Sequence, residues 1–217
     1  MSTSAPWEPL LGHVDKARYQ ALVKRVIDPT RMDASFRELR EQATMLVPGT
    51  GPLQPRAAVV GEAPGTVEDR CGVPFVGPSG QLLDRLLAVA GLQRHGVWIT
   101  NLVKYLPITR AGEIRRPYRR ETQAAIRYLK WELHILQPEL VILCGNSAIH
   151  AVEPEIDLAT FHGQPFSTGT RAYVPVYHPA ACLRDESRLS LALEDFGRLR
   201  GVLEGRGWDL VPVPSTP

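Results

Sequence analysis

Four short apolar runs recur along the chain, and none of them alternates regularly with polar positions. They are AAVVG at 57–61, VWIT at 97–100, LVILCG at 140–145 and YVPVYH at 173–178. Strands that are apolar on both faces are typical of a parallel sheet with helices packed on either side. The pattern therefore predicts four buried strands in a mainly parallel sheet.

Stretches with helical periodicity separate these runs. Residues 79–90 carry leucines on one face, with Ser79 as the expected N-cap and Gly91 as the stop signal. Residues 120–136 repeat the pattern, and 187–205 do so more weakly. The alternation of strands and helices predicts an α/β fold, a three-layer αβα sandwich around a central four-stranded, mainly parallel sheet.

The 217 residues are predicted to form a single domain, because a chain of this length can bury a stable hydrophobic core without disulfide bonds or a bound metal. A helical N-terminal extension is expected over 1–50, with helices near 15–26 and 34–45, and the tail at 208–217 is expected to be disordered. The formal net charge is only +2, so an acidic partner would need a local basic patch.

The three widely spaced cysteines argue against a disulfide framework and favour a reducing compartment. The N-terminus has no signal-peptide pattern, and no apolar run approaches the length of a membrane span. We therefore expect a cytoplasmic protein.

Polar residues stand at or just beyond the ends of the predicted strands. They are Glu62, Asn101, Asn146 and His178. Ligands of open α/β sheets bind outside the carboxyl ends of the strands, so these side chains predict a site at that edge.

Three ordered motifs surround these residues: GEAPGTVEDRCGVPFVGPSGQLL from position 61, ITNLVKYLP from 99 and VYHPAACLR from 176. Together they resemble the uracil-DNA glycosylase superfamily, specifically its family-4 branch and X-type relatives, over residues 57–205. The resemblance implies hydrolysis of the N-glycosidic bond of uracil in DNA, for base excision repair.

Base release needs a carboxylate near the sugar, a water and a donor to the base carbonyl, with the flipped base held on an aromatic face. The resemblance implies that Glu62 serves the water or the sugar cation, and that His178 donates to the base carbonyl. It also implies that Ala63, Phe75 and Asn101 bind the base. The structural alternatives are that Glu62 caps a turn, that Phe75 packs in the core and that Asn101 forms a turn.

Two acidic residues and one DNA-contacting segment follow from the same resemblance, and a second such segment follows from the start of a predicted helix, beside plain capping by Ser79. Glu68 and Asp69 are secondary acidic candidates that recur in the family, for chemistry or for loop structure. Ser79 and Gly80 open a helix whose amides can accept phosphate. Leu183 is the candidate that would enter the base stack as a wedge, and Arg184 is the candidate that would contact the DNA backbone. The alternative is that this segment is an ordinary loop.

The loop after the second strand concentrates basic residues in an otherwise nearly neutral chain. We expect a phosphate-contacting patch here, although a solvated helix face is the alternative. Its candidate DNA contacts are Arg115, Arg116, Arg119 and Arg120.

The chain departs from the family pattern at three places. Family-4 enzymes carry four cysteines on an iron–sulfur cluster, whereas Tyr105 and Ile126 stand at two of those positions and the other two also lack cysteine. We therefore predict neither a cluster nor a metal. Residues 105–120 lack the histidine through which X-type relatives bind the sugar covalently. Gly65 replaces a bulky tyrosine of the best-known uracil enzymes, which leaves the identity of the base open.

The sequence thus predicts a monomeric, monofunctional uracil-DNA glycosylase whose partner is DNA containing uracil or a related lesion. A glycosylase for another modified or deaminated base is one alternative. A non-catalytic module that binds uracil in DNA is the other.

Overall fold

The structure is a computed structural model that describes residues 36–168 and 171–206, apart from the side chains of the last two. The helix predicted near 15–26 and the tail at 208–217 lie outside the described residues. The strands are β1 (Ala57–Gly61), β2 (Val97–Asn101), β3 (Leu140–Cys144), β4 (Phe166–Thr168) and β5 (Arg171–Val176). The α-helices are α1 (Arg37–Gln42), α2 (Thr66–Cys71), α3 (Pro78–Val89), α4 (Arg119–Leu136), α5 (Asn146–His150), α6 (Leu158–Phe161), α7 (Pro179–Cys182) and α8 (Glu186–Gly201).

These strands form one sheet in the order β2–β1–β3–β5–β4. The first four run parallel, with Val59 paired to both Ile99 and Ile142, whereas β4 runs antiparallel to β5. The mainly parallel sheet is confirmed, but the prediction of four strands is wrong by one. The three residues of β4 escaped the sequence pattern because only Phe166 among them is buried.

Helices cover both faces of the sheet, which confirms the three-layer sandwich. Alternate strand residues point to opposite faces. On one face Val60 lies in a core cluster with Leu133 of α4. On the other, Val59 lies in a cluster with Leu86 of α3 and Phe196 of α8.

Helices α3 and α1 differ from the prediction in N-cap and in length, respectively. Helix α3 has Gly77 as its N-cap and Pro78 in its first turn, so Ser79 is not the cap. Proline suits this position because its fixed φ is already helical and its missing N–H would have no partner there. Helix α1 is also shorter than the predicted 34–45. None of the helices in the described ranges is long and apolar enough to cross a membrane.

A buried ion pair ties the end of β2 to α4. The Lys104 ammonium donates to Glu132 Oε2 at 2.6 Å, to Thr100 Oγ1 and to the carbonyl oxygen of Asn101. The other oxygen of Glu132 accepts the indole N–H of Trp98 at 2.9 Å. Burial lowers the pKa of Lys104, and the Glu132 carboxylate opposes that shift.

Removing one partner of this pair should be costly. Lys104→Met leaves the Glu132 charge buried without compensation, and we expect it to lower the free energy of unfolding by about 3–5 kcal/mol. Urea denaturation monitored by circular dichroism measures the loss.

The matched control is Arg56→Met, because Arg56 pairs with Glu139 on the exposed surface. This change should cost less than about 1 kcal/mol. The double variant Lys104→Met/Glu132→Leu should recover part of the loss. Equal effects of the Lys104 and Arg56 variants would contradict the role of the buried pair.

Candidate active site

The carboxyl ends of β1, β2 and β5 meet at one edge of the sheet and line a cavity of about 520 Å³. This cavity gathers every catalytic and base-binding candidate of the sequence, together with one acidic candidate and several DNA-contacting ones. Its predicted residues are Glu62, Ala63, Phe75, Asn101, His178, Glu68, Ser79, Arg115, Arg116 and Arg184. A neighbouring cavity of about 340 Å³ shares Glu62, His178 and Arg116 with it.

Glu62 follows β1 directly and lines both cavities. Its carboxylate oxygen Oε1 accepts a hydrogen bond of 2.5 Å from the Ser147 hydroxyl. Its backbone carbonyl accepts the N–H of Val103, which fixes the turn that leaves the strand. The side chain is half-buried, so one oxygen is held while the carboxylate still borders the cavities.

His178 is the N-cap of α7, and this capping bond determines which ring nitrogen carries the proton. Nδ1 accepts the backbone N–H of Ala180 at 3.1 Å, so the proton of the neutral ring sits on Nε2. Burial lowers the pKa of His178; the Arg184 guanidinium adds to this shift, while the carboxylates of Glu62 and Glu68 oppose it. The ring can therefore act as a neutral N–H donor.

Asn101 ends β2 with a buried side chain whose Oδ1 has no hydrogen-bond partner among the described residues. A buried polar atom without a partner is costly, and a ligand with a suitable donor would satisfy it. Because Asn101 lines the larger cavity, its carboxamide can offer both a donor and an acceptor to a flat polar ring.

The Phe75 ring stacks on the His178 ring at the same cavity. Its centroid lies 5.6 Å from that of the His178 ring, with the planes inclined at 26°. Gly61 permits the approach, because a Cβ there would collide with both the Phe75 ring and the Asn101 carboxamide. Gly80 is needed for a similar reason, since its Cβ would overlap the Phe75 carbonyl.

The two secondary acidic residues hold loops through backbone amides. Glu68 accepts the N–H groups of Gly65, Val76 and Gly77. Asp69 accepts those of Thr44 and Met45. Both carboxylates are buried and take part in these bonds, which fits the alternative that they serve loop structure.

The DNA-contacting candidates lie partly along the larger cavity, which Ser79, Arg115, Arg116 and Arg184 line. Leu183, just past α7, is 47% exposed, and Arg184 beside it lines the cavity. Ser79 also lines the cavity. The N–H of Gly80, however, donates to the Gly77 carbonyl, so this amide already has a partner within the protein.

The arginines of the loop differ in their surroundings. Arg115 donates to both oxygens of Glu121 at 2.8 Å, stacks on Tyr118 and is only 10% exposed. It is therefore engaged within the protein rather than presented to a partner. Arg116 and Arg119 are exposed. The fourth, Arg120, pairs with Glu38 at the surface.

Two positions that hold cluster-binding cysteines in family-4 enzymes carry side chains without a thiolate, Tyr105 and Ile126. Tyr105 is buried in an apolar cluster with Phe36 and Tyr128, and Ile126 packs against that cluster. The cysteines lie elsewhere: Cys71 is exposed, while Cys144 and Cys182 belong to the core on the opposite face of the sheet. Burial raises the pKa of Cys182 to about 11, which favours the thiol over the thiolate that iron requires. The residues present do not fit an iron–sulfur cluster.

Ser147 and Ile114 are among the residues at the site that the sequence candidates did not include. Ser147 contacts Glu62, and Ile114 lines the larger cavity while remaining 61% exposed. The strand-end rule selected Asn146, which is exposed and lines the neighbouring cavity with Glu62 and His178, but it did not select Ser147. No sequence signal singles out Ile114, because its position depends on an antiparallel bridge with Ile108.

Comparisons with known proteins agree with this geometry. Residues 48–197 match the Uracil DNA glycosylase superfamily. The Type-4 uracil-DNA glycosylase of Thermotoga maritima is 31% identical over 169 residues, covering 76% of this chain and 86% of the relative. That of Pyrobaculum aerophilum is 38% identical over 148 residues, covering 64% and 73%. The chain belongs to the uracil-DNA glycosylase superfamily.

The protonation state of His178 can be tested directly. We expect the ring to be neutral at pH 7, with its proton on Nε2, and to gain a second proton only below its usual pKa of about 6.5. Protonation of Nδ1 would also break the bond from the Ala180 N–H. A ¹⁵N NMR titration measures both properties, with His178→Gln identifying the signal. A charged ring at pH 7, or a proton on Nδ1, would contradict the assignment.

Proposed function

We propose that this protein hydrolyses the N-glycosidic bond of uracil in DNA as a monofunctional glycosylase. The observation that carries the proposal is the meeting of three groups at one cavity: the Glu62 carboxylate, the Nε2–H of His178 and the Asn101 carboxamide. Membership of the superfamily supports the same reaction.

In the proposed reaction the bond between C1′ of deoxyribose and N1 of uracil breaks, and its electron pair leaves with the base. Negative charge develops on the base carbonyl, where the Nε2–H of His178 donates a hydrogen bond. Positive charge develops on the sugar near the Glu62 carboxylate, which orients a water toward C1′. The hydroxyl of that water joins C1′, and its proton balances the charge of the released uracil anion.

Base recognition is assigned to the residues that line the inner part of the cavity. Asn101 would pair with the polar edge of a flipped pyrimidine, which would satisfy its orphan Oδ1. Phe75 and Ala63 would contact the ring. Gly65 also lines this cavity, and its lack of a side chain favours a second candidate function, the removal of a 5-substituted pyrimidine.

The reaction as proposed uses neither a metal nor an iron–sulfur cluster. The apolar surroundings of Tyr105 support the absence of the cluster. Monomeric state and cytoplasmic location stay predictions from the sequence.

Contacts to DNA are proposed for the rim of the cavity. Leu183 would fill the stack where the base leaves, and Arg184 would hold the adjacent backbone. Ser79 and the exposed Arg116 and Arg119 would contact phosphates on the remaining sides. We do not extend this role to Arg115, which Glu121 already engages.

The decisive test is an excision assay on oligonucleotides that each carry one lesion. We expect release of free uracil and an ordinary abasic product, with activity that persists in the presence of an iron chelator. The panel should include 5-substituted uracils, deaminated purines and undamaged thymine, and Glu62→Gln, in which we expect slow release, serves as the matched variant.

Three outcomes would count against the proposal. Release of another base without uracil would favour the second candidate function. Binding of uracil-containing DNA without any release would indicate a non-catalytic module. A denaturant-resistant protein–DNA adduct would contradict the free turnover expected from a loop without histidine.

The exposed arginines should govern the salt dependence of DNA binding. Arg116→Gln/Arg119→Gln should weaken binding to all sequences alike and flatten the slope of log K against log salt, because fewer counterions are released. Arg110→Gln, on the same loop, tests whether any exposed arginine has this effect. An unchanged slope in the double variant would show that these side chains do not contact DNA.

A further inference from the structure

The turn after β3 lies between the two proposed catalytic residues. β3 pairs with β1, which leads to Glu62, and with β5, which leads to His178. Gly145 begins the turn at φ +83°, and its N–H donates to the Val176 carbonyl at 2.9 Å. A Cβ at Gly145 would lie 3.2 Å from that of His178, so the turn is held closely against the histidine.

This fixed turn aims Ser147 at Glu62. The Ser147 hydroxyl donates to Oε1 of the carboxylate at 2.5 Å, across 85 positions of sequence. Within the described residues no other side chain hydrogen-bonds to that carboxylate, and Oε2 accepts no hydrogen bond there. A hydrogen bond to a charged group is about twice as strong as one between neutral groups, so this contact is able to hold one rotamer of Glu62.

We infer that Ser147 is a positioning residue for Glu62. Its hydroxyl fixes the carboxylate by one oxygen and leaves the other directed to the water. The inference rests on the proposed function, in which Glu62 orients that water. A glutamate has three side-chain torsions, and fixing them costs conformational entropy. Ordering the side chain before the substrate binds removes this entropic cost from the reaction.

Ser147 could instead matter only for the stability of helix α5, in which it lies. That role would lower the melting temperature and would act independently of Glu62. A positioning role depends on Glu62, because once the carboxylate is gone the hydroxyl has nothing to orient.

The experiment compares two variants of nearly equal shape. Ser147→Thr keeps the hydroxyl, whereas Ser147→Val replaces it with a methyl group. Single-turnover release of uracil should fall by about 10-fold in Ser147→Val, the loss expected for one hydrogen bond to a charged group. It should stay within about 3-fold of the unmodified protein in Ser147→Thr. The affinity for uracil-containing DNA should change little in either variant.

A double-mutant cycle with Glu62→Ala, which removes the acceptor of the Ser147 hydroxyl, separates the two roles. We expect Ser147→Val to have no further effect on the residual rate in the Glu62→Ala background. Ser190→Ala is the surface control, since Ser190 is exposed on α8 and bonds only within that helix. Thermal unfolding of each variant shows whether a loss of rate is a loss of folded protein.

The outcomes distinguish this inference from the proposed function. If Glu62→Gln is slow but Ser147→Val reacts like the unmodified protein, the positioning role is wrong and the function stands. Additive losses in the cycle would also overturn the positioning role. If Glu62→Gln is as fast as the unmodified protein, the role of Glu62 itself fails.

Discussion

The parallel register of β1, β2, β3 and β5 is the constraint on which the site depends. Because these strands run in the same direction, their carboxyl ends lie at one edge of the sheet. Glu62, Asn101 and His178 come from segments far apart in sequence, yet each follows or ends one of those strands. The site therefore requires the whole sheet, which the two core clusters hold between helices.

Close backbone packing then determines how these side chains point. Gly61 lets the Asn101 carboxamide and the Phe75 ring approach the end of β1, where any side chain would displace both. The capping bond from the Ala180 N–H sets the tautomer of His178. Ser147 engages one oxygen of Glu62. Small residues and backbone amides thus orient a histidine, an amide and a carboxylate before any substrate is present.

The sequence predicted most of the sheet and the residues that meet at its edge. Continuous apolar runs reveal buried strands, and the strand-end rule depends only on where those runs stop. The sequence could not reveal β4, whose three residues are mostly exposed. Nor could it reveal the pairing of Lys104 with Glu132 across 28 positions. Such pairs require knowledge of which helix face meets which strand.

The contacts of a charged residue show more of its role than its place in a run of charges. Of the four arginines predicted as one patch, Arg115 is 10% exposed and bound to Glu121, whereas Arg120 is 60% exposed beside Glu38. Glu68 likewise stands in the conspicuous motif beside Glu62 and is bound to three backbone amides. A charged residue in a motif can serve the loop that presents the site rather than the reaction.

Single-turnover cleavage by His178→Ala tests the central claim most directly. If the neutral imidazole donates to charge that develops only as the bond breaks, the rate should fall by roughly 10²–10³-fold, as for the loss of one oxyanion donor. The affinity for uracil-containing DNA should change little, since the donor acts mainly in the transition state. Near-normal cleavage by His178→Ala would contradict the account.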